Sequence, residues 1–124
     1  MEIAGYIDFI KEQFKEVSIS NNLVYDNRNK YAVKLKNKFL EIYFSTEKYE
    51  DGMNAYFKNV KKGTYYSLYD SMLKKLGNTD FLTQDEITKS IEFNDNNKSL
   101  IFNVAIFVKN HCQDLLNGDF SSLE

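Results

Sequence analysis

The stretch "YAVKLKNKFLEIYFS", residues 31–45, alternates apolar with other side chains on both sides of a short polar turn. Such period-two patterns, rich in aromatic and β-branched residues, are typical of half-buried strands. Because successive side chains of a strand point to opposite faces, one face of each strand would be apolar. The residues predicted to share that face are Tyr31, Val33, Leu35, Leu40, Ile42 and Phe44. The stretch therefore predicts a hairpin that packs against helices.

The same pattern continues on both sides of this hairpin. The segment "LVYD" begins at Leu23, and "MNAYFKNV" follows the loop "EKYEDG". We expect an antiparallel meander of three to four strands that ends near Tyr66. The face opposite the helices would carry Phe39, Tyr43 and Tyr56, and it is more aromatic than an ordinary solvated surface.

Helical spacing replaces alternation outside the meander. Residues 3–17 predict an N-terminal amphipathic helix that ends at "SISNN". Three further helices are predicted after the meander: one capped by Ser67 and stopped at Gly77, one from the Thr83–Glu86 capping box to about Phe93, and one from about Lys98 to Asn117. The sequence therefore predicts an α+β fold in which the three C-terminal helices pack on one sheet face.

Length and composition limit the class of protein. A chain of 124 residues with 43% hydrophobic residues predicts one globular domain, 1–124. The net charge is −2, there is a single arginine, and no basic run exceeds two residues, so we expect no nucleic acid partner. Leu100 to Val108 is the most apolar run and is too short to span a bilayer, and the N-terminus lacks the features of a signal peptide. We therefore expect no membrane association and a cytoplasmic location.

No residue pattern predicts a catalytic or metal site. His111 and Cys112 are adjacent, and neighbouring helical residues point about 100° apart, so they cannot form a nucleophile–base pair within that helix. One His and one Cys cannot make a zinc site. Asp85 and Glu86 are explained by capping at a helix start. We predict no catalytic residue, no metal and no cofactor.

The candidate residues instead indicate contact with another protein. The loop that connects two strands carries Glu47, Tyr49, Glu50 and Asp51, which could form an acidic contact patch for a basic partner. The second candidates are Tyr43 and Tyr56 on the aromatic sheet face, because tyrosine is favoured at protein interfaces.

Tyr65 and Tyr66 form a further pair that helix packing does not explain. As neighbours in an extended segment they should point to opposite faces of the sheet. One of the two is therefore expected to point outward, and the sequence leaves open which one. Phe102 and Ile106 likewise fall on the far side of the last helix, where they either meet another element or form an exposed apolar pair.

The element order, the segment "YYSLYDSMLKKLG" that leads into the helical half, and the apolar last helix ending in "LLNGDF" resemble the immunity proteins of bacterial polymorphic-toxin and contact-dependent inhibition systems. The resemblance implies tight inhibition of one cognate toxin by direct binding. The alternatives are a homo-oligomeric structural or regulatory subunit that dimerises through the aromatic face or the Phe102–Ile106 pair, and a small enzyme that uses a tyrosine with a carboxylate.

Overall fold

The computed structural model describes residues 1–124 and confirms an α+β fold in the predicted order. The N-terminal half contains a 3₁₀ turn followed by two short helices: Ala4–Tyr6, α1 (Ile7–Gln13) and α2 (Lys15–Asn21). Five strands follow: β1 (Val24–Asn29), β2 (Ala32–Lys36), β3 (Leu40–Thr46), β4 (Met53–Asn59) and β5 (Tyr65–Ser67). The C-terminal half comprises α3 (Leu68–Leu76), α4 (Gln84–Glu92), α5 (Asn96–His111), α6 (Gln113–Leu116) and a last 3₁₀ turn, Ser121–Leu123.

The sheet is a meander in which each strand pairs antiparallel with the next, in the order β1-β2-β3-β4-β5. The prediction of three to four strands missed β5, whose three residues are too few to show an alternating pattern. Tyr66 of β5 lies opposite Phe57 of β4, and the pairing extends the sheet by one short edge strand.

The predicted apolar face of the hairpin is the face covered by helices. Five of its six predicted residues are at most 2% exposed, whereas Tyr31 lies in the turn before β2 and is only partly buried. The five buried residues join the apolar residues of the helices in one core, where Phe14 packs edge-on against Phe44 and Phe57 packs against Phe107. Burial of this continuous apolar surface is the main stabilising contribution to the fold.

The N-terminal and C-terminal helices are each interrupted where the sequence predicts one continuous helix. Phe14 leaves the helical region between α1 and α2, and α2 continues to Asn21 through the predicted "SISNN" break. Cys112 leaves it between α5 and α6. Both residues are fully buried, so the apolar stripe runs through each break and periodicity alone does not reveal it.

Two further predictions about side-chain placement are corrected by the structure, and one open alternative is resolved. Phe39 lies in the β2–β3 turn, where alternation does not apply, and its ring packs against Gly118 instead of lying beside Tyr43. In α3, the helical spacing of Leu68, Tyr69, Met72, Leu73 and Leu76 predicts one apolar stripe, yet Tyr69 and Leu73 are exposed. Of the two alternatives for Phe102 and Ile106, the structure shows the first for Phe102, which is buried with its ring edge-on to Phe93.

None of the helices combines the length and the apolar character required to cross a lipid bilayer.

The capping box at Thr83 and Glu86 forms as predicted, and Ser67 and Gly77 cap the two ends of α3. These local signals therefore place α3 and α4 correctly in the chain.

Candidate binding surface

The sheet face that points away from the helices, called the outer face, carries several cross-strand rows of side chains, of which two contain its charged and aromatic residues. Antiparallel register places cross-strand neighbours side by side on one face. One row crosses the middle of the sheet and contains Asp26, Lys34, Tyr43, Tyr56 and Ser67. The next row contains Val24, Lys36, Glu41, Lys58 and Tyr65.

Three tyrosines form a cluster on the outer face. The rings of Tyr43 and Tyr56 are stacked, with 4.7 Å between centroids and 8° between planes. Tyr65 lies 5.7 Å from the Tyr56 ring and is 57% exposed, whereas Tyr66 points inward and stacks on Phe120. The structure thus brings the predicted Tyr43 and Tyr56 together and identifies Tyr65 as the outward member of the neighbouring pair.

Two charged residues are buried beside this cluster. Glu41 accepts hydrogen bonds from the Tyr43 hydroxyl at 2.6 Å and from Lys34 Nζ at 3.1 Å. Lys34 is 6% exposed and Glu41 8%, which is rare for charged residues unless they are paired. The two hydrogen bonds make Glu41 part of the packing of the outer face.

The same contacts set the protonation states of the cluster. Burial raises the pKa of Glu41, but the hydrogen bonds from Tyr43 and Lys34 outweigh it and leave the pKa below its usual value. Burial, followed by the neighbouring Glu41 carboxylate, raises the pKa of Tyr43. At neutral pH the hydroxyl is therefore a donor, Glu41 is ionised, and the Tyr43 ring is held in one position.

The outer face is not covered by any element of the chain. Every hydrogen bond, ion pair and ring contact of Lys34, Glu41 and Tyr43 is made to another residue of the sheet. Tyr56 and Tyr65 likewise contact only sheet residues with their rings. Tyr43 itself is only 8% exposed, so the aromatic surface available to a partner consists of the exposed Tyr65 and the half-buried Tyr56.

The predicted acidic loop lies at the tip of the β3–β4 hairpin. Glu47, Tyr49, Glu50 and Asp51 are all exposed, and Tyr49 is 88% exposed. Hydrogen bonds fix the backbone of the loop. The Met1 amino nitrogen donates to the Lys48 and Glu50 carbonyls, and the side-chain amide of Asn97 donates to the Asp51 carbonyl. The side chains remain free for other contacts.

The two groups of candidate residues share one hairpin but do not form one cluster. Four residues separate Tyr43 from Glu47, which corresponds to about 13 Å along a strand. A protein interface of ordinary size covers about 800 Å² on each partner, so one partner could contact both groups.

Sequence reasoning missed the importance of Lys34, Glu41, Lys58 and Tyr65. Alternation assigns the first three to the outer face, but it does not show that Lys34 and Glu41 are buried there. That burial depends on the strand register, which places Lys34 opposite Tyr43 and Glu41 opposite Lys58. The signal in the sequence is the position of oppositely charged residues on adjacent strands.

Cys112 and His111 do not form a nucleophile–base pair or a metal site. Cys112 is fully buried, and burial raises the pKa of its thiol to about 12, so it is not a thiolate nucleophile at neutral pH. His111 packs against Phe81 and Phe107. No group of three or more His, Cys, Asp or Glu side chains is close enough to hold a metal ion.

The surface cavities do not contain the tyrosine cluster either. The five main depressions are lined by residues of the helices, the turns and the C-terminal segment, and no tyrosine lines any of them.

Comparison of the chain with protein-family models, with curated proteins and with solved structures gave no match.

Proposed function

We propose that this chain is a protein-binding module that docks its partner on the outer face of the sheet. The observation that carries the proposal is the tyrosine cluster on the outer face, in which the buried Tyr43 is fixed by Glu41 and supports the half-buried Tyr56 and the exposed Tyr65. Tyrosine contributes large contact area at a low cost in conformational entropy, and prepositioned side chains reduce that cost further.

The partner class that we propose is a toxin domain, which the protein neutralises in the bacterial cytoplasm by covering an active site or another functional surface. The resemblance in element order to immunity proteins supports this class. The rigid, solvent-facing sheet suits an inhibitor, because such interfaces change shape little on binding. The acidic loop, with Glu47, Tyr49, Glu50 and Asp51, is proposed as a second contact at the border of the same interface.

The homo-oligomeric alternative is weakened by two observations. Phe102 is buried, so the Phe102–Ile106 pair does not offer a dimer surface. The outer face carries more cations than carboxylates, so two copies facing each other would bring like charges together.

Site-specific photocrosslinking tests the proposal. A benzoylphenylalanine replaces Tyr65 on the outer face or, as a matched control, Tyr69, which is 62% exposed on α3. Both variants are expressed in the cells from which the chain comes, and crosslinked products are identified by mass spectrometry. We expect a single product from position 65 and none from position 69.

A growth assay then tests the class of partner. Expression of the captured protein alone should stop growth of a host strain, and co-expression of this chain should restore it. Capture from position 69 but not from position 65 would contradict the proposed surface, and a captured protein that is harmless alone would contradict toxin neutralisation.

A further inference from the structure

We infer that the partner presents an acidic segment to the Lys36–Lys58–Tyr65 side of the outer face. This inference rests on the proposed function and adds the chemistry of the partner.

The outer face is positively charged in a protein that is negatively charged as a whole. Four cationic side chains lie on it, Arg28, Lys34, Lys36 and Lys58, against the two carboxylates of Asp26 and Glu41. The whole chain has a net charge of −2. The positive charge is therefore concentrated on the one uncovered sheet face, which favours an anionic partner.

Neither Lys36 nor Lys58 is hydrogen-bonded to one of the two carboxylates. Glu41 lies opposite both lysines in the same cross-strand row, but its two oxygens are bonded to Lys34 and Tyr43 of the neighbouring row. Asp26 is shared by three cations at 3.8–4.0 Å, and Lys36 is one of them. Lys58 forms no ion pair.

The contacts of the tyrosine rings favour a partner that presents carboxylates over a nucleic acid whose bases would stack on the rings. Tyr43 has Tyr56 against one face and Lys34 Nζ 5.7 Å from its centroid, while Lys58 Nζ lies 5.3 Å from the Tyr65 centroid. Single-stranded nucleic acid needs free ring faces for stacking. In the cluster, the Tyr56 ring and two lysine ammonium groups already contact the rings of Tyr43 and Tyr65, and ammonium groups attract carboxylates.

The acidic segment is expected at a defined end of the sheet. Lys36 is the last residue of β2, and Lys58 is one residue before the end of β4, so both lie at the end opposite the acidic loop. A partner that crosses the sheet would thus meet cations at one end and carboxylates at the other, which fixes its orientation.

An NMR titration of the isotope-labelled protein tests the inference. The probes are an octapeptide of alternating Glu and Asp, the matched octapeptide of alternating Gln and Asn, and an oligothymidylate of eight nucleotides. We expect the acidic peptide to shift the amide signals of Lys36, Lys58 and Tyr65 in a saturable manner. We expect the neutral peptide to leave these signals unchanged.

Charge-removing variants provide the control for specificity. Lys36→Gln with Lys58→Gln should raise the Kd for the acidic peptide at least about fivefold. Lys15→Gln with Lys89→Gln removes two exposed helix cations and should leave the Kd unchanged.

Three results would overturn the inference: equal shifts with the neutral peptide, an equal loss in the helix-cation variant, or tighter binding of the oligothymidylate, which would indicate a nucleic acid partner. If the acidic peptide does not bind but position 65 crosslinks to a partner, the inference about an acidic segment is wrong and the proposed function is still supported.

Discussion

At the scale of single residues, Gly118 and Gly77 share a left-handed backbone conformation but have different surroundings. Both have positive φ, 92° and 72°, where an L side chain is strained by about 1–2 kcal/mol. A Cβ at Gly77 would meet no atom within 4 Å, whereas one at Gly118 would lie 2.7 Å from Cδ1 of Phe39. The Phe39 ring therefore requires the absence of a side chain at Gly118.

We predict that Gly77→Ala lowers the free energy of unfolding by about 1 kcal/mol and Gly118→Ala by at least about 2 kcal/mol, measured by urea denaturation. Adding Phe39→Leu to Gly118→Ala should restore part of the loss. Equal losses in the two glycine variants would show that the ring contact is unimportant.

The buried pair on the outer face gives a second residue-scale prediction. Glu41→Leu leaves the Lys34 ammonium and the Tyr43 hydroxyl without their acceptor, so the free energy of unfolding should fall by about 2 kcal/mol. The double change Lys34→Met with Glu41→Leu should be less destabilising than the sum of the single changes. Glu2→Gln, which removes an exposed pair with Lys30, is the control and should have no effect. Additive losses would contradict the coupling of Lys34 with Glu41.

Individual side chains were predicted well where a strand is regular and poorly where it ends. Tyr43 and Tyr56 were correctly placed on one face, because alternation holds within β3 and β4. Phe39 was misplaced because it lies in a turn. Which of Tyr65 and Tyr66 points outward depends on pairing with β4, a long-range interaction that local sequence does not encode.

At the scale of elements, local signals identified the helix starts but not the helix breaks. Thr83 and Glu86 define the start of α4 through short-range hydrogen bonds. The break at Cys112 accompanies tertiary contacts instead: Asp114 of α6 accepts from Lys75 of α3 at 2.7 Å and from Ser122 at 2.7 Å. These contacts tie α3, α6 and the C-terminal turn together.

The Asp114 contacts predict a dependence of stability on pH. Burial raises the pKa of Asp114, but hydrogen bonds from Lys75, Ser122 and the Leu115 amide lower it overall. A carboxyl with a lowered pKa in the folded state stabilises the protein above its unfolded pKa, near 3.9, and that contribution is lost as the pH falls through the folded value.

Asp114→Asn should therefore lower the free energy of unfolding by about 1.5 kcal/mol at pH 7, and the difference from the wild type should shrink below about pH 4. Urea denaturation across this pH range measures both effects. Glu16→Gln, which removes an exposed pair with Lys109, should behave as the wild type at every pH. If the difference in the free energy of unfolding between Asp114→Asn and the wild type stays constant down to pH 3, the ionised Asp114 carboxylate does not stabilise the fold.

At the scale of the whole molecule, the α+β class and the element order follow from the change between period two and helical period along the chain. Strand count, helix breaks and the burial of Lys34 and Glu41 depend on register and packing across the sheet. For the same reason the sequence indicated that the outer face is aromatic but did not indicate the hydrogen bonds and ion pairs of Lys34 and Glu41 on it.

The acidic loop makes a prediction at this scale, because its side chains contact solvent and its backbone carbonyls make the structural contacts. The triple reversal Glu47→Lys, Glu50→Lys and Asp51→Lys should leave the urea midpoint unchanged. It should slow association with the captured partner about tenfold at low salt, measured by surface plasmon resonance, and less at high salt. An unchanged association rate would remove the loop from the interface.

The most direct measurement is the affinity of the captured partner for Tyr65→Ala and for Tyr69→Ala. Both residues are exposed tyrosines, one on the outer face and one on α3, so neither change should alter folding. Binding through the outer face predicts at least about a tenfold rise in Kd for Tyr65→Ala and no change for Tyr69→Ala. An unchanged Kd for Tyr65→Ala, with a loss for Tyr69→Ala, would contradict docking on the sheet and assign the interface to the helical side.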